Sequence, residues 1–499
     1  MCKKYALIVL SALILSSVCA CQKAPESGIV TSKNDGAFEA ALEVTPDPAA
    51  APEDTEPMTY IDSFTGMEEE IRFEIDLDEP AVTTALPVIQ VRPQELTPEM
   101  AERAARAIFG EADIYEYTSE FSKAEIEQAI MKLKQEMFDW ETRVANEGAD
   151  QDDQDLIREE YSRRIAGLES SYESAPESVQ QTLCTWEYHE ENYYKSSAGA
   201  GEYQDAGHRY IKALAELNGK TWVYQAMSRM QDDYRVQSLS LYEDDRGVSD
   251  DDISAAEWEA MKAEHAAYLE IADLEAEQTQ ALALAESLGS RRWVAVPRYV
   301  LEANSDWATT DESVVVLTPV YNGVPVTWHF GGFNPRSEDI YASTYGYEEM
   351  TVLFDADGIS GFNYSNMLEV VATVNDNVEI LPFEKILTAA ENQMKMTNGT
   401  DLNMSYGEWV SALEISVTNA ELGLSRVRIK DSAADFYLIP TYTFYGIVTA
   451  LDENGEPIMI SDYDENGHEI GESFPYTTAK ELAVINAVDG SAINTLLGY

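Results

Sequence analysis

The chain has 499 residues, of which 33 are basic and 91 acidic, giving a net charge of −58. So few cations leave little to neutralise phosphates, which argues against nucleic acid as a ligand, and anionic headgroups repel the body of the protein. A hydrophobic content of 45% indicates folded domains and not a disordered acidic chain.

Residues 1–20 have the layout of a secretory signal. Lys3 and Lys4 precede an uncharged apolar run, Tyr5 to Leu15, which is too short to span a bilayer as a helix. Cys21 follows Val18-Cys19-Ala20, with an aliphatic residue at the third position before it and a small one directly before it. This resembles the lipobox of bacterial lipoproteins, in which the cysteine carries diacylglycerol and becomes the new N-terminus. The bulky Val18 before Cys19 fits that cleavage pocket poorly. The alternative is an ordinary signal cut at Ala20 with Cys21 free. Loss of Lys3 and Lys4 with the leader takes the 33 basic residues to 31 against 91 acidic ones, a net charge of −60. Only Cys184 then remains as a free thiol, so neither a disulfide nor a cysteine zinc site is expected, and Cys184 reads as a small packing residue.

Residues 21–60, with "EVTPDPAAAPEDTEP", form a Pro-, Ala- and acid-rich tether. A first α+β domain is expected over 61–250. In "EEIRFEIDLD", Ile71, Phe73, Ile75 and Leu77 alternate with polar residues as a half-buried strand. "LTPEMAERAARAIFG" is a helix with Thr97 as its cap, Pro98 at its first position and Gly110 beyond its end, and "ADIYEYTSEF" follows as a strand. Ser122 and Glu125 make a capping box. The seams Ile126, Ile130, Leu133, Met137, Trp140, Val144 and then Ile157, Tyr161, Ile165, Leu168, Tyr172 predict an antiparallel helical hairpin over 122–174, broken at "NEGADQDDQD". Asn218-Gly219 marks a β-hairpin, although "YIKALAEL" before it also suits a helix.

The remainder reads as two α+β units, 251–375 and 376–499, each a helix followed by long antiparallel strands, and so as a tandem repeat. Helices are expected from the Ser254–Glu257 capping box to Leu288 and across "LPFEKILTAAENQMKM". Hairpins are expected at Asn322-Gly323 and Asp357-Gly358, and long strands in "ALEISVTNAELGLSRVRI", "FYLIPTYTFYGIVTAL" and "KELAVINAVDGSAIN". The fold class is α+β, antiparallel sheets with packed helices and the inserted helical hairpin.

The lipobox, the tether, "LTPEMAERAARAIFGEADIYEY", "AESLG" and the C-terminal "YLIPTYTFYG…AVINAVDGSAIN" together resemble an uncharacterised family of Gram-positive lipoproteins, a domain of unknown function. The last segment is also similar to PepSY-type modules and the YycH and YycI regulators. Pro440, Phe444, Ile485, Asn486, Ala487, Asp489 and Gly490 match their pattern, and Tyr442 stands where they have tryptophan. The resemblance implies a helix on an antiparallel sheet that binds proteins without catalysis.

No HExxH, GxSxG, P-loop or GxGxxG occurs, and His189, His208, His265, His329 and His468 show no metal-ligand spacing. A serine triad assembled from distant residues remains open to a sequence of this kind. In "DYDENGHEIGES", Asp462, Asp464 and Asn466 followed by Gly467 open like an EF-hand loop, but Ser473 replaces the bidentate glutamate at the twelfth position. A β-hairpin turn is therefore the preferred reading, with weak calcium binding as its alternative and no other cofactor expected. The functional expectation is a non-catalytic lipoprotein on the outer face of the cytoplasmic membrane, bound to it through lipid and engaging an envelope protein. The alternatives are a carbohydrate- or peptide-binding lipoprotein and a cell-wall hydrolase.

Overall fold

The computed structural model describes residues 41–45, 58–82, 84–147, 151–194, 205–217, 219–231, 234–244, 274–289, 291–296, 313–329, 346–355, 358–399, 409–429, 432, 435–463 and 469–495. Its class is the expected α+β, with five helices and mostly antiparallel sheets among the described residues.

The first sheet begins with β1 (Thr59–Thr65) and β2 (Ile71–Asp78). In β2 the side chains of Ile71, Phe73, Ile75 and Leu77 are buried and their neighbours exposed, as the alternation requires. It continues with β3 (Val88–Pro93), β14 (Leu368–Asn375), β15 (Ala412–Arg428), β16 (Phe436–Leu451) and β19 (Thr477–Asn486). The order is β1-β2-β15-β16-β3-β14, with β19 also on β16. The β2–β15 pair is parallel and joins residues more than 300 positions apart.

The second sheet takes β4 (Ile114–Glu116), β5 (His189–Tyr194), β6 (Asp205–Leu217), β7 (Lys220–Gln231), β8 (Tyr234–Glu243), β9 (Arg292–Ala295), β10 (Ser313–Tyr321), β11 (Val324–Pro325), β12 (Glu349–Asp355) and β13 (Gly358–Ser365). Each sheet thus draws strands from both sides of residue 250. The segment "YIKALAEL" lies in β6, because its partners on β7 and, over Ala213–Ala215, on β4 satisfy its backbone as a ladder. At Asn322-Gly323 both residues have positive φ, 49° and 90°, the conformation of a two-residue hairpin. A separate pair, β17 (Met459–Tyr463) with β18 (Glu469–Pro475), forms a hairpin.

Helix α1 (Pro98–Phe109) starts as its sequence dictates. The Thr97 hydroxyl accepts from the Met100 amide, and Gly110 closes the helix at φ 60°. Its buried Ala101, Ala104 and Ala105 meet Ala281 and Ala285 of α4 (Glu275–Leu288) in the core over the second sheet. Small side chains let both helices lie close to the strands. Residues 245–273, with the second capping box, lie outside the described residues. On the first sheet, α5 (Phe383–Thr397) covers one face with Phe383, Ile386, Ala390 and Met394.

Helices α2 (Lys123–Glu147) and α3 (Gln151–Tyr172) form the expected antiparallel pair. Ser122 and Glu125 cap α2 reciprocally: the Ser122 amide donates to Glu125 Oε2 at 2.7 Å and the Glu125 amide to Ser122 Oγ at 3.3 Å. Such a cap contributes about 1 kcal/mol. Helix α3 begins inside the stretch read as a break, at Gln151. Ile126, Leu133, Tyr161, Ile165 and Leu168 make a core of their own, whose packing partners among the described residues come from residues 121–175. The side chains of Trp140, Val144 and Ile157 lie outside the described residues. No described helix is long and apolar enough to cross a membrane.

Candidate functional site

The two sheets meet where the chain after β11 runs beside β15. Val326 bridges Leu424, and the Thr327 amide donates to the Leu424 carbonyl at 2.9 Å. The approach demands glycine at 423, since a Cβ there would sit 2.2 Å from Thr327 Oγ1. Tyr445 fills the junction with Val296 and Val316 and donates to the Trp328 carbonyl at 3.2 Å.

A polar chain lies in this junction. His329 Nδ1 is 2.7 Å from Glu481 Oε2, and its Nε2 is 3.1 Å from Ser425 Oγ. Ser425 Oγ is in turn 2.6 Å from Thr441 Oγ1. Register explains the gathering: Ser425 pairs with Ile439 and Gly423 with Thr441, so Ser425 and Thr441 are diagonal neighbours on β15 and β16. Glu481 enters from β19, opposite Tyr445. An ionised Glu481 only accepts, so with a neutral ring the proton sits on Nδ1, Nε2 accepts from Ser425, and Ser425 accepts from Thr441. Every member is satisfied. The Tyr347 ring lies against His329 with centroids 4.9 Å apart.

Order and distances match a Ser-His-Glu triad, the possibility left open by the dispersed histidines. Access does not match. Ser425 and Thr441 are 0% exposed and His329 is 5% exposed, and Ser425 stands in mid-strand. A nucleophilic serine is normally presented on a sharp turn where a carbonyl can reach it. In this structure the chain of hydroxyls and imidazole is a cross-link between the sheets.

Beside it, residues 346–349 carry buried charge. Arg426, 1% exposed, has its guanidinium between the rings of Tyr347 and Phe436, 4.7 and 4.6 Å from their centroids, and donates to the Gly346 carbonyl. Glu348, 2% exposed, pairs with Arg291 and accepts from the hydroxyls of Tyr321 at 2.7 Å and Tyr364 at 2.8 Å. Burial pushes the Glu348 carboxyl above its ordinary range, and the Arg291 guanidinium opposes that rise. Glu349 accepts from Trp328 Nε1 at 3.1 Å and is likewise pushed up by burial. Burial raises the Tyr347 phenol to about 12.

Of the residues singled out by sequence, Cys21, Asp464, Asn466, His265 and His468 lie outside the described residues. Asp462 is on β17, paired with Ile470 in the hairpin. Among the described residues no group of three or more His, Cys, Asp or Glu is placed to hold a metal. His189 on β5 faces Tyr210, His208 is on β6, and Cys184 packs half-buried against the second sheet's core, where burial raises its thiol pKa.

No family model and no curated protein matches the chain. Among solved structures it is similar to an uncharacterized protein from Eubacterium rectale, at 11% identity and a TM-score of 0.33, over 92% of this chain and 98% of that one.

Proposed function

We propose that the protein is a lipid-anchored extracytoplasmic module that binds a protein partner of the cell envelope through the outer face of α2. One observation carries the reading. The helical hairpin packs on itself, yet Met131 and Phe138 on α2 are 70% and 60% exposed. They are seven residues apart, two turns on the same face, and point away from the seam of Ile126 and Leu133. Apolar side chains in that position contribute nothing to the hairpin's core and suit a docking surface. A second support is α5 lying on the sheet of β16 and β19, where Phe383 meets Tyr442 at 5.1 Å. That is the arrangement implied by the PepSY-type resemblance, and such modules act by binding proteins.

Two tests separate the parts of this reading. Cys21→Ala should move the protein from the membrane fraction to the medium, and retention in the membrane would refute the lipid anchor. For docking, a photo-crosslinker at the exposed Gln128 should give discrete adducts in intact cells. Met131→Lys with Phe138→Lys should abolish them without lowering the melting temperature. Adducts that survive the double substitution would show that α2 is not the docking face.

A further inference from the structure

Part of the tether is bound to the body. Leu42, within the stretch read as an extended linker, is 1% exposed and sits among Val88, Val378, Val427, Ile439, Val484 and Ile493. These residues form an apolar patch of the first sheet apart from the core under α5. The backbone is gripped as well. Asn375, itself 8% exposed, donates from Nδ2 to the carbonyls of Leu42 and Val44, both at 3.1 Å. The Glu379 amide donates to the same Val44 carbonyl at 2.9 Å. Asn375 is held for this task by its Oδ1, which accepts from the Asn377 amide at 2.9 Å and from Thr45 Oγ1 at 3.3 Å.

We infer that this socket is a peptide-binding site, occupied in cis by residues 41–45, which straps the tether to the body. The ligand class follows from the contacts: a short peptide offering one leucine side chain and two backbone carbonyls spaced two residues apart. Main-chain recognition supplies the grip and the leucine socket the selectivity. If Cys21 carries the lipid, a point that rests on the proposed anchor, the strap shortens the free tether. Counted along the sequence, 20 residues then separate Cys21 from the strapped segment at Ala41, against 38 from Cys21 to Thr59 at the start of β1.

The test is hydrogen exchange on the full chain. In the wild type the Glu379 amide should be protected by Val44. Leu42→Asp places a charge in the socket, so Glu379 should exchange at least tenfold faster. The neighbouring Val378 amide, bonded to the Leu86 carbonyl, should keep its rate, as should β15 and β16. Adding the peptide FEAALEVTPD, residues 38–47, to the Leu42→Asp protein should restore Glu379 protection, whereas the same peptide with Asp for Leu should not. Asn375→Ala should speed Glu379 exchange in the same direction. Unchanged Glu379 exchange in Leu42→Asp, or no rescue by the peptide, would overturn the inference. Because none of these readouts involves lipid, failure of the anchor at Cys21 would leave them unaffected.

Discussion

Arg291→Ala should destabilise the protein by about 3–5 kcal/mol, because it strips the cation from a carboxylate that has almost no water to turn to. Glu348 would keep the hydroxyls of Tyr321 and Tyr364, but two neutral donors do not offset a buried charge. The pH dependence has a definite sign. Burial already raises the Glu348 carboxyl above its ordinary range despite Arg291, so the native state holds the proton more tightly than the unfolded chain. Stability therefore falls as pH rises from the ordinary carboxylate range through the folded pKa. Without the guanidinium that folded pKa lies higher still, and the decline continues to higher pH. Urea midpoints should show the deficit of Arg291→Ala largest near pH 7.5 and smaller near pH 5. Glu348→Gln in the Arg291→Ala background should recover part of the loss, since a neutral amide of the same shape replaces the stranded charge. A deficit independent of pH, with no recovery in the double variant, would show that Arg291 acts only by packing.

What the sequence disclosed and what it hid divide along contact range. Thr97, Ser122 and Glu125 act on backbone groups within one turn, so their spacing alone specifies the helix starts. The pattern of Ile71, Phe73, Ile75 and Leu77 likewise needs only the two-residue period of a strand. Pairing of β2 with β15 has no local signature, and neither does the allotment of strands to two sheets across residue 250. The polar junction was hidden for the same reason. His329 meets Ser425 and Glu481 at separations of 96 and 152 residues, so no motif could join them. A faint signal existed in "GLSRVR", where Ser425 and Arg426 stand side by side between Leu424 and Val427 and do not alternate with apolar residues as Glu414, Ser416 and Thr418 do. A serine and an arginine in such a place are buried together, and a buried polar pair requires partners from elsewhere. With 91 acidic residues in the chain, Glu348 and Glu349 gave no comparable signal.

His329→Ala should cost about 2–4 kcal/mol, and the reason separates a cross-link from a catalytic triad. Removal of the ring leaves the Ser425 hydroxyl without its acceptor and Glu481 without its donor, each an unmade bond costing about 1–3 kcal/mol where water cannot enter freely. Ser425→Ala also leaves two groups, Thr441 and His329, short of a partner, but it removes a single oxygen and keeps the His329–Glu481 contact, so its cost should be smaller. The two losses should not add: the double variant should fall short of their sum by about 1 kcal/mol, as expected of residues in one network. A hydrolase built on the same three groups would behave differently toward a fluorophosphonate probe, which bonds to an activated serine as fluoride leaves. Ser425, fully buried and already engaged by Thr441 and His329, should stay unlabelled in the native protein. Labelling at Ser425 that disappears in His329→Ala would establish an opened, reactive serine and replace the binding-module reading with an enzymatic one. Absence of labelling, together with the non-additive loss of stability, identifies the chain from Thr441 to Glu481 as the fastening between the two sheets.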